Sequence, residues 1–139
     1  MEEREASRDC IFCKVVKGEA KSWKVYEDEN VYAFLDINPV SEYHTLVIPK
    51  KHYSDIFDTP EDEMKNVISV VKKLASLYNT KLGIKNVQII NSSGTEAQQD
   101  IFHIHFHIVP RREGDDQDIK WKTHKEWRAR FDELLSQLS

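Results

Sequence analysis

The sequence predicts an α+β domain: a mainly antiparallel five-stranded sheet with one long helix packed on it and a short C-terminal helix. Three observations carry this. Five short apolar or β-branched runs are punctuated by turn residues and prolines; short links join the first three, as in an antiparallel meander; and one long amphipathic segment follows the third run. At 139 residues with 40% hydrophobic side chains, the chain has room for one ordinary domain and a core to fill it.

The polar residues 1–9 read as a loose arm, and residues 10–111 as the domain proper. Lys24 to Glu27 and Val31 to Leu35 form the first two strands, turned by Asp28-Glu29-Asn30. Asp36-Ile-Asn-Pro39 stops the second strand, because proline lacks a ladder donor and restricts the residue before it. His44 to Ile48 is the third strand, ended by Pro49. The helix runs from about Pro60 to Leu82: Thr59 can cap it, Pro60 fits its first turn, and Glu61, Asp62 and Glu63 suit the positive end of its dipole. Its apolar stripe is Met64, Val67, Ile68, Val71, Leu74, Ala75, Tyr78 and Leu82, with Gly83 as the C-terminal cap. Val87 to Ile90 is the fourth strand, Asn91 to Asp100 a polar loop, and His103 to Val109 the fifth strand, closed by Pro110. Residues 112–139 form an extension packed on the domain or on a second copy, in which Thr123-His-Lys-Glu126 resembles a capping box opening a helix through Leu138. Trp121 and Trp127 are read as ordinary packing residues there, the alternative being a place across a dimer or near the substrate mouth.

Charge narrows the functions. Lys and Arg number 20 against 24 Asp and Glu, a net charge of −4, so no general basic field exists to hold a nucleic-acid polymer. A small anionic ligand stays compatible with a local site. The four glycines are too scattered for a phosphate-binding glycine loop, and any phosphate must be held by other groups. No apolar run is long enough for a membrane span and the N-terminus lacks the features of a signal peptide, so a cytoplasmic protein with reduced or metal-bound cysteines is expected.

Three of the six histidines fall within five residues. Alternation along an extended strand puts His103, His105 and His107 on one face and Ile104, Phe106 and Ile108 on the other. The apolar face fixes the register, since a slip of one residue would bury three imidazoles. Such a row serves stability poorly, because each ring must be desolvated or left wet. Two functional readings compete: a mononuclear three-histidine metal site of hydrolytic type, and nucleophilic catalysis in which one imidazole attacks phosphorus while its neighbours bind phosphate oxygens and move protons.

Cys10-x-x-Cys13 is compatible with redox activity, metal binding or simple burial. A thioredoxin-like site would need a preceding strand, and only nine polar residues come before Cys10. Zinc would need two further ligands, commonly histidines.

His103-Ile-His105-Phe-His107-Ile-Val-Pro-Arg111 resembles the signature of the histidine triad (HIT) family. Phe34-Leu-Asp36-Ile37-Asn-Pro, His44-Thr-Leu-Val-Ile-Pro-Lys-Lys-His52 and Asn91-Ser-Ser-Gly are similar, in order, to blocks that precede the triad in its Hint-like branch, so the resemblance spans Cys10 to Arg111. It implies a nucleotide-binding hydrolase or transferase that cleaves the α-phosphate bond of nucleoside phosphoramidates, mixed anhydrides or dinucleoside polyphosphates through a nucleotidyl-histidine intermediate. His105 would be the nucleophile, which suits an imidazole's ordinary pKa near 6.5. His107 would contact the phosphate, His44 would support the triad, and Gln99 and Asn91 would complete the phosphate surroundings, Asn91 alternatively fixing the active-site strand. Asp36 would take the ribose hydroxyls, while Ile11, Phe12, Val15, Phe34 and Ile37 would wall a purine base. Microbial relatives with an N-terminal cysteine pair imply a structural zinc on Cys10, Cys13, His52 and His103, and the family implies a homodimer. His124 is left without a role.

Two departures stand out. Gln98-Gln99 replaces the family's usual Gly-Gln, and Asp100 stands three residues before His103, where the Hint branch often has serine or threonine. An anionic Asp100 would repel a phosphate unless turned away or protonated. The rival reading is therefore a zinc-stabilised nucleotide-binding or protein-interaction module with vestigial turnover.

Overall fold

A computed structural model of the chain describes residues 9–139, so of the expected arm only Asp9 lies within the described residues. The strands are β1 (Lys24–Glu27), β2 (Val31–Leu35), β3 (Thr45–Pro49), β4 (Val87–Ile90) and β5 (Phe106–Pro110), and the helices are α1 (Ile11–Val16), α2 (Glu61–Leu82) and α3 (Phe131–Ser136). All five strands join one antiparallel sheet in the order β1-β2-β3-β5-β4. The predicted α+β architecture is therefore the observed one.

Local chemistry explains most boundaries. At the β1–β2 turn, the Asp28 carboxylate accepts the backbone N–H groups of Asn30 and Val31, both at 2.8 Å. Gly83 ends α2 in the left-handed region (φ 69°), with its N–H returned to the Asn79 carbonyl. The start of α2 differs from expectation. Pro60, not Thr59, is the cap residue, in an extended conformation with no side-chain cap, because the Thr59 hydroxyl donates instead to the Asp55 carbonyl at 2.6 Å.

The sheet is covered on both faces. On one, α2 buries Val67, Val70, Val71, Leu74 and Tyr78 against Val31, Ala33, Val47, Ile104, Phe106 and Ile108. The predicted stripe is thus shifted: Val70 is buried, whereas Ile68 and Leu82 face solvent. On the other face, α1 packs Phe12 and Val15, with Cys10 and Cys13, onto Tyr32, Phe34, Leu46 and Ile48. The sequence reading missed α1, which at six residues is too short to show a helical period; the Cys13 N–H donates to the Cys10 sulfur that caps it, at 3.3 Å.

Two further expectations are corrected. β5 begins at Phe106 rather than His103, although the alternation persists through the extended residues before it, with Ile104 in the core. Its N–H donates to the Tyr53 carbonyl at 2.7 Å, outside the sheet ladder. In the extension, a 3-10 turn (Lys125–Arg130) leads into α3, and no side chain caps either, so the capping box at Thr123 does not form. From residue 120 onward every side chain except that of Leu134 is exposed; Trp127 and Phe131 are about half exposed, and Trp121, 83% exposed, lines a shallow space with Gln88, Ile89 and Ile90 of β4. Its near end is held by Arg111, which pairs with Asp115 and Asp118 at 2.7 and 2.6 Å.

Leu74 is 1% exposed in the centre of the α2 face. Leu74→Ala is expected to destabilise the fold by about 2–5 kcal/mol in urea unfolding, whereas Ile68→Ala on the solvent face is expected to change it by about 0.5 kcal/mol or less.

Candidate active site and metal centre

Cross-strand register builds one end of the site. Phe34 on β2 pairs with Leu46 on β3, Leu46 with His107 on β5, and His107 with Ile90 on β4, so these residues form a row on the α1 face of the sheet. Asp36 follows β2 and His44 precedes β3; the Asp36 N–H donates to the His44 carbonyl, which holds the two together. Tyr43 adopts the left-handed region (φ 65°) just before His44, and this tight turn brings the imidazole back over the sheet end.

Between this row and α1 lies a cavity of about 410 Å³. Ile11, Phe12, Val15, Phe34, Ile37 and Leu46 give it an apolar side, and Asp36, His44, His105, His107 and Asp100 a polar one. The structure thus brings nine of the predicted catalytic and binding residues around one space. Ala20, Lys21, Ser22, Asn38, Val40 and Ile101 also line it and were missed. Of these, Asn38 lay inside a recognised motif and Val40 and Ile101 close to one; Ala20, Lys21 and Ser22 arrive through the link after α1.

Hydrogen bonds fix the tautomers of four histidines. His105 Nδ1 lies 2.8 Å from the His103 carbonyl, which can only accept, so Nδ1 carries the proton and Nε2 the lone pair. The Val40 N–H donates to His44 Nδ1, so His44 Nε2–H donates to His107 Nδ1 at 2.9 Å, and His107 is left with its proton on Nε2. His103 Nε2–H donates to the Pro49 carbonyl at 2.8 Å, leaving Nδ1 as its lone-pair nitrogen. The Phe12 ring stands edge-on to His105, its centroid 5.2 Å away, and bounds that imidazole on the α1 side. A bare nucleophilic nitrogen and a hydrogen-bond donor therefore belong to adjacent rings lining one cavity, His105 and His107, whose centroids are 5.1 Å apart.

Burial favours the neutral form of His107 and His44. It pushes His107 down to about 4, with His105 and His44 adding to the effect and Asp36 and Asp100 opposing it. His44 is lowered by the same cause, partly offset by Asp36.

His103 belongs to a different cluster. Its Nδ1 lies 3.4 Å from Cys10 Sγ and 3.5 Å from Cys13 Sγ, and His52 Nδ1 lies 3.4 Å from Cys13 Sγ. The four ligand atoms are all within 4.8 Å of one another, and neither cysteine is in a disulfide. A tetrahedral zinc with bonds of about 2.3 Å to sulfur and 2.0 Å to nitrogen holds such atoms roughly 3.5 Å apart, so the donor set and its spacing fit a closed Cys2His2 site. The Pro49 carbonyl supplies the outer partner that orients a ligating histidine. A site made of the three triad histidines is not formed: His103 turns to the thiols and His105 Nδ1 to a carbonyl. The second group with metal-ligand spacing among the described residues, Asp36 with His44 and His107, is already joined internally by the His44–His107 bond.

Two predicted residues stand outside the cavity lining. Asn91 Nδ2 donates to the His105 carbonyl at 3.0 Å, so it touches the active-site backbone. Gln99 is buried, and its amide is engaged by the Gly94 N–H and by the Ser54 and Ile101 carbonyls; it clamps its own loop. Gln98 occupies the left-handed region (φ 73°), a conformation that costs a side chain about 1 kcal/mol and a glycine almost nothing.

Comparison with known proteins agrees with this geometry. The model of the HIT domain matches residues 17–114. A HIT-like protein of Methanocaldococcus jannaschii is 46% identical over 129 residues, covering 93% of this chain and 98% of that one. An adenosine 5′-monophosphoramidase of Candida albicans is 38% identical over 109 residues, covering 75% and 71%. The crystal structure of a zinc-bound histidine triad family protein from Mycobacterium smegmatis superposes with a TM-score of 0.76 at 37% identity, covering 94% and 99% of the two chains.

Two measurements check the site. Elemental analysis of protein purified without chelator is expected to give one zinc per chain, and Cys13→Ser to lose it and lower the melting temperature by roughly 5 °C or more; well under half an equivalent in the parent chain would count against the metal centre. His107 is neutral when folded but takes a proton when unfolded below its ordinary pKa of 6.5, so the unfolded state binds more protons between pH 6.5 and about 4. Stability is therefore expected to fall as pH drops through that window and to be flat above it, with a shallower slope in His107→Gln, read from urea unfolding at fixed zinc.

Proposed function

The chain belongs to the HIT domain family, and on that premise we propose that it is a nucleotidyl hydrolase acting on purine nucleoside phosphoramidates, mixed anhydrides or dinucleoside polyphosphates. The observation that carries this reading is the His105 Nδ1–H bond to the His103 carbonyl, which leaves Nε2 unprotonated in a ring that lines the cavity. The naming of a relative as an adenosine 5′-monophosphoramidase supports the substrate class.

The apolar side of the cavity takes the base between Ile11, Phe12, Val15, Phe34 and Ile37, and Asp36 receives the ribose hydroxyls. His105 Nε2 gives its lone pair to the α-phosphorus. The bond to the leaving group breaks with its electron pair, and the departing atom takes a proton from water. The nucleotidyl-imidazolium is stabilised at Nδ1–H by the His103 carbonyl, while His107 Nε2–H donates to a non-bridging oxygen. Water then attacks phosphorus, the pair returns to Nε2, and the nucleoside monophosphate leaves with one proton released. Asn91 is a positioning residue that holds the carbonyl of His105 itself. Zinc on Cys10, Cys13, His52 and His103 would staple the α1 segment to the triad and takes no part in the bond changes.

A homodimer in the cytoplasm completes the reading. Its support is β4, which ends the sheet with Val87 and Ile89 exposed, and an extension that leaves Trp121, Phe131 and Leu135 exposed in the single chain. Reduced thiols held as metal ligands suit a reducing compartment. Asp100 in the cavity is the observation that favours the rival reading of a binding module with vestigial turnover.

Adenosine 5′-phosphoramidate is expected to yield adenosine monophosphate, and His105→Ala to lower kcat at least about a thousandfold with unchanged melting temperature and zinc content. Tight nucleotide binding without turnover in the parent chain would favour the binding module, and retained activity in the variant would reject the covalent route.

A further inference from the structure

Asp100 stands on a wall shared by two cavities. The catalytic cavity and a neighbouring one of about 330 Å³ have Ile11, Asp100 and Ile101 in common. Phe102, Ser54, Asp9 and two of the proposed zinc ligands, Cys10 and His52, complete the smaller cavity, whose lining among the described residues holds two carboxylates and no lysine or arginine. With a base in the apolar slot and its ribose at Asp36, the histidine end of the catalytic cavity adjoins two further spaces. One, lined by Gln88, Ile90 and Ile119, shares Val40, His44 and His107 with it, and the hydrogen bond between the two imidazoles lies on that boundary. The other is the smaller cavity, and Asp100 lies on that boundary.

Nothing in the catalytic cavity neutralises Asp100. Lys21, the lysine of its lining, belongs to the α1–β1 link beside Ala20 and Ser22, and its ammonium stands over the Trp23 ring, 4.9 Å from the centroid. Burial favours the uncharged form of His107, and the Asp100 charge is felt there, where it opposes that burial. An anionic side chain beside a phosphate repels every substrate, and a substrate that carries its own cation past phosphorus reverses the sign of that interaction.

We propose that Asp100 selects the leaving group by charge, so that the preferred substrates are nucleoside 5′-phosphoramidates whose amine carries a second, cationic group, and those with anionic leaving groups are disfavoured. This rests on the nucleotidyl-transfer reading above. The bond changes are unaltered: the P–N bond breaks with its pair on nitrogen, which takes a proton from water, and the distal ammonium remains beside Asp100 throughout.

The test uses three adenosine 5′-phosphoramidates of equal chain length, made from 1,4-diaminobutane, n-butylamine and 4-aminobutyrate, with the full zinc-loaded chain. The expected order of kcat/KM is cationic, neutral, anionic, separated by roughly tenfold for each unit of charge, a spread that narrows in high salt. Asp100→Asn and Asp100→Ser are expected to bring the three within about threefold of one another. Equal rates in the parent chain, or an order that survives both replacements, overturn the proposal. If none of the compounds is hydrolysed the proposed reaction fails, and dissociation constants for the same three compounds then decide on Asp100: the same order, lost in both variants, supports charge selection, and equal affinities overturn it.

Discussion

One residue ties the metal centre to the chemistry. His103 is fully buried and held at three points: its Nδ1 faces both cysteine sulfurs, its Nε2–H is bonded to the Pro49 carbonyl, and its own carbonyl accepts the Nδ1–H of His105. A carbonyl fixed in this way dictates which nitrogen of His105 carries the proton, and hence which is nucleophilic. Moving the thiols moves the His103 ring, the peptide behind it and the carbonyl that sets the tautomer. The cysteine pair and the triad are two ends of one mechanical unit, though 90 residues separate Cys13 from His103.

That unit also shows what was legible beforehand. Alternation of histidine with Ile104, Phe106 and Ile108 fixed which side of the chain enters the core, because burying three large apolar side chains outweighs any local preference. Where the ladder starts was not legible: His103 and His105 lie before β5, their positions set by a carbonyl from β3 and by thiols from α1, partners that single-chain periodicity does not report. The same holds for Gln99, whose amide is drawn to Ser54 and Ile101 rather than to the cavity, and for Thr59, whose hydroxyl is taken by Asp55. Short polar side chains choose among nearby backbone groups separated by about 1 kcal/mol or less, and sequence spacing alone does not rank them. In the extension the expected terminal helix forms as α3, but it starts later than Thr123 because no side chain caps it, and Trp121 and Phe131 stay largely exposed in the single chain.

The acidity of the chain takes on a more exact meaning at the cavity. With a net charge of −4 and with burial favouring the neutral form of His44 and His107, those two rings do not attract a phosphate to the histidine end as imidazolium cations. Binding there would rest on donors with fixed directions, such as His107 Nε2–H, and on the apolar slot beside α1. Directed donors in a site that excludes water act on charge that develops during reaction without the cost of reorienting solvent, whereas a free lysine would bind ground state and transition state alike.

The loop before the triad shows how such a site accommodates strain. Gln98 adopts a left-handed conformation that glycine would reach freely, and the next residue, Gln99, anchors the loop through its amide to Gly94, Ser54 and Ile101. Three hydrogen bonds in a buried setting are worth roughly 0.5–1.5 kcal/mol each, enough together to outweigh a cost of about 1 kcal/mol at Gln98. The conformation is therefore over-determined by its neighbour. Its consequence is positional: the residue after the clamp is Asp100, so the backbone that bears the strain is the backbone that sets the carboxylate on the wall between the two cavities.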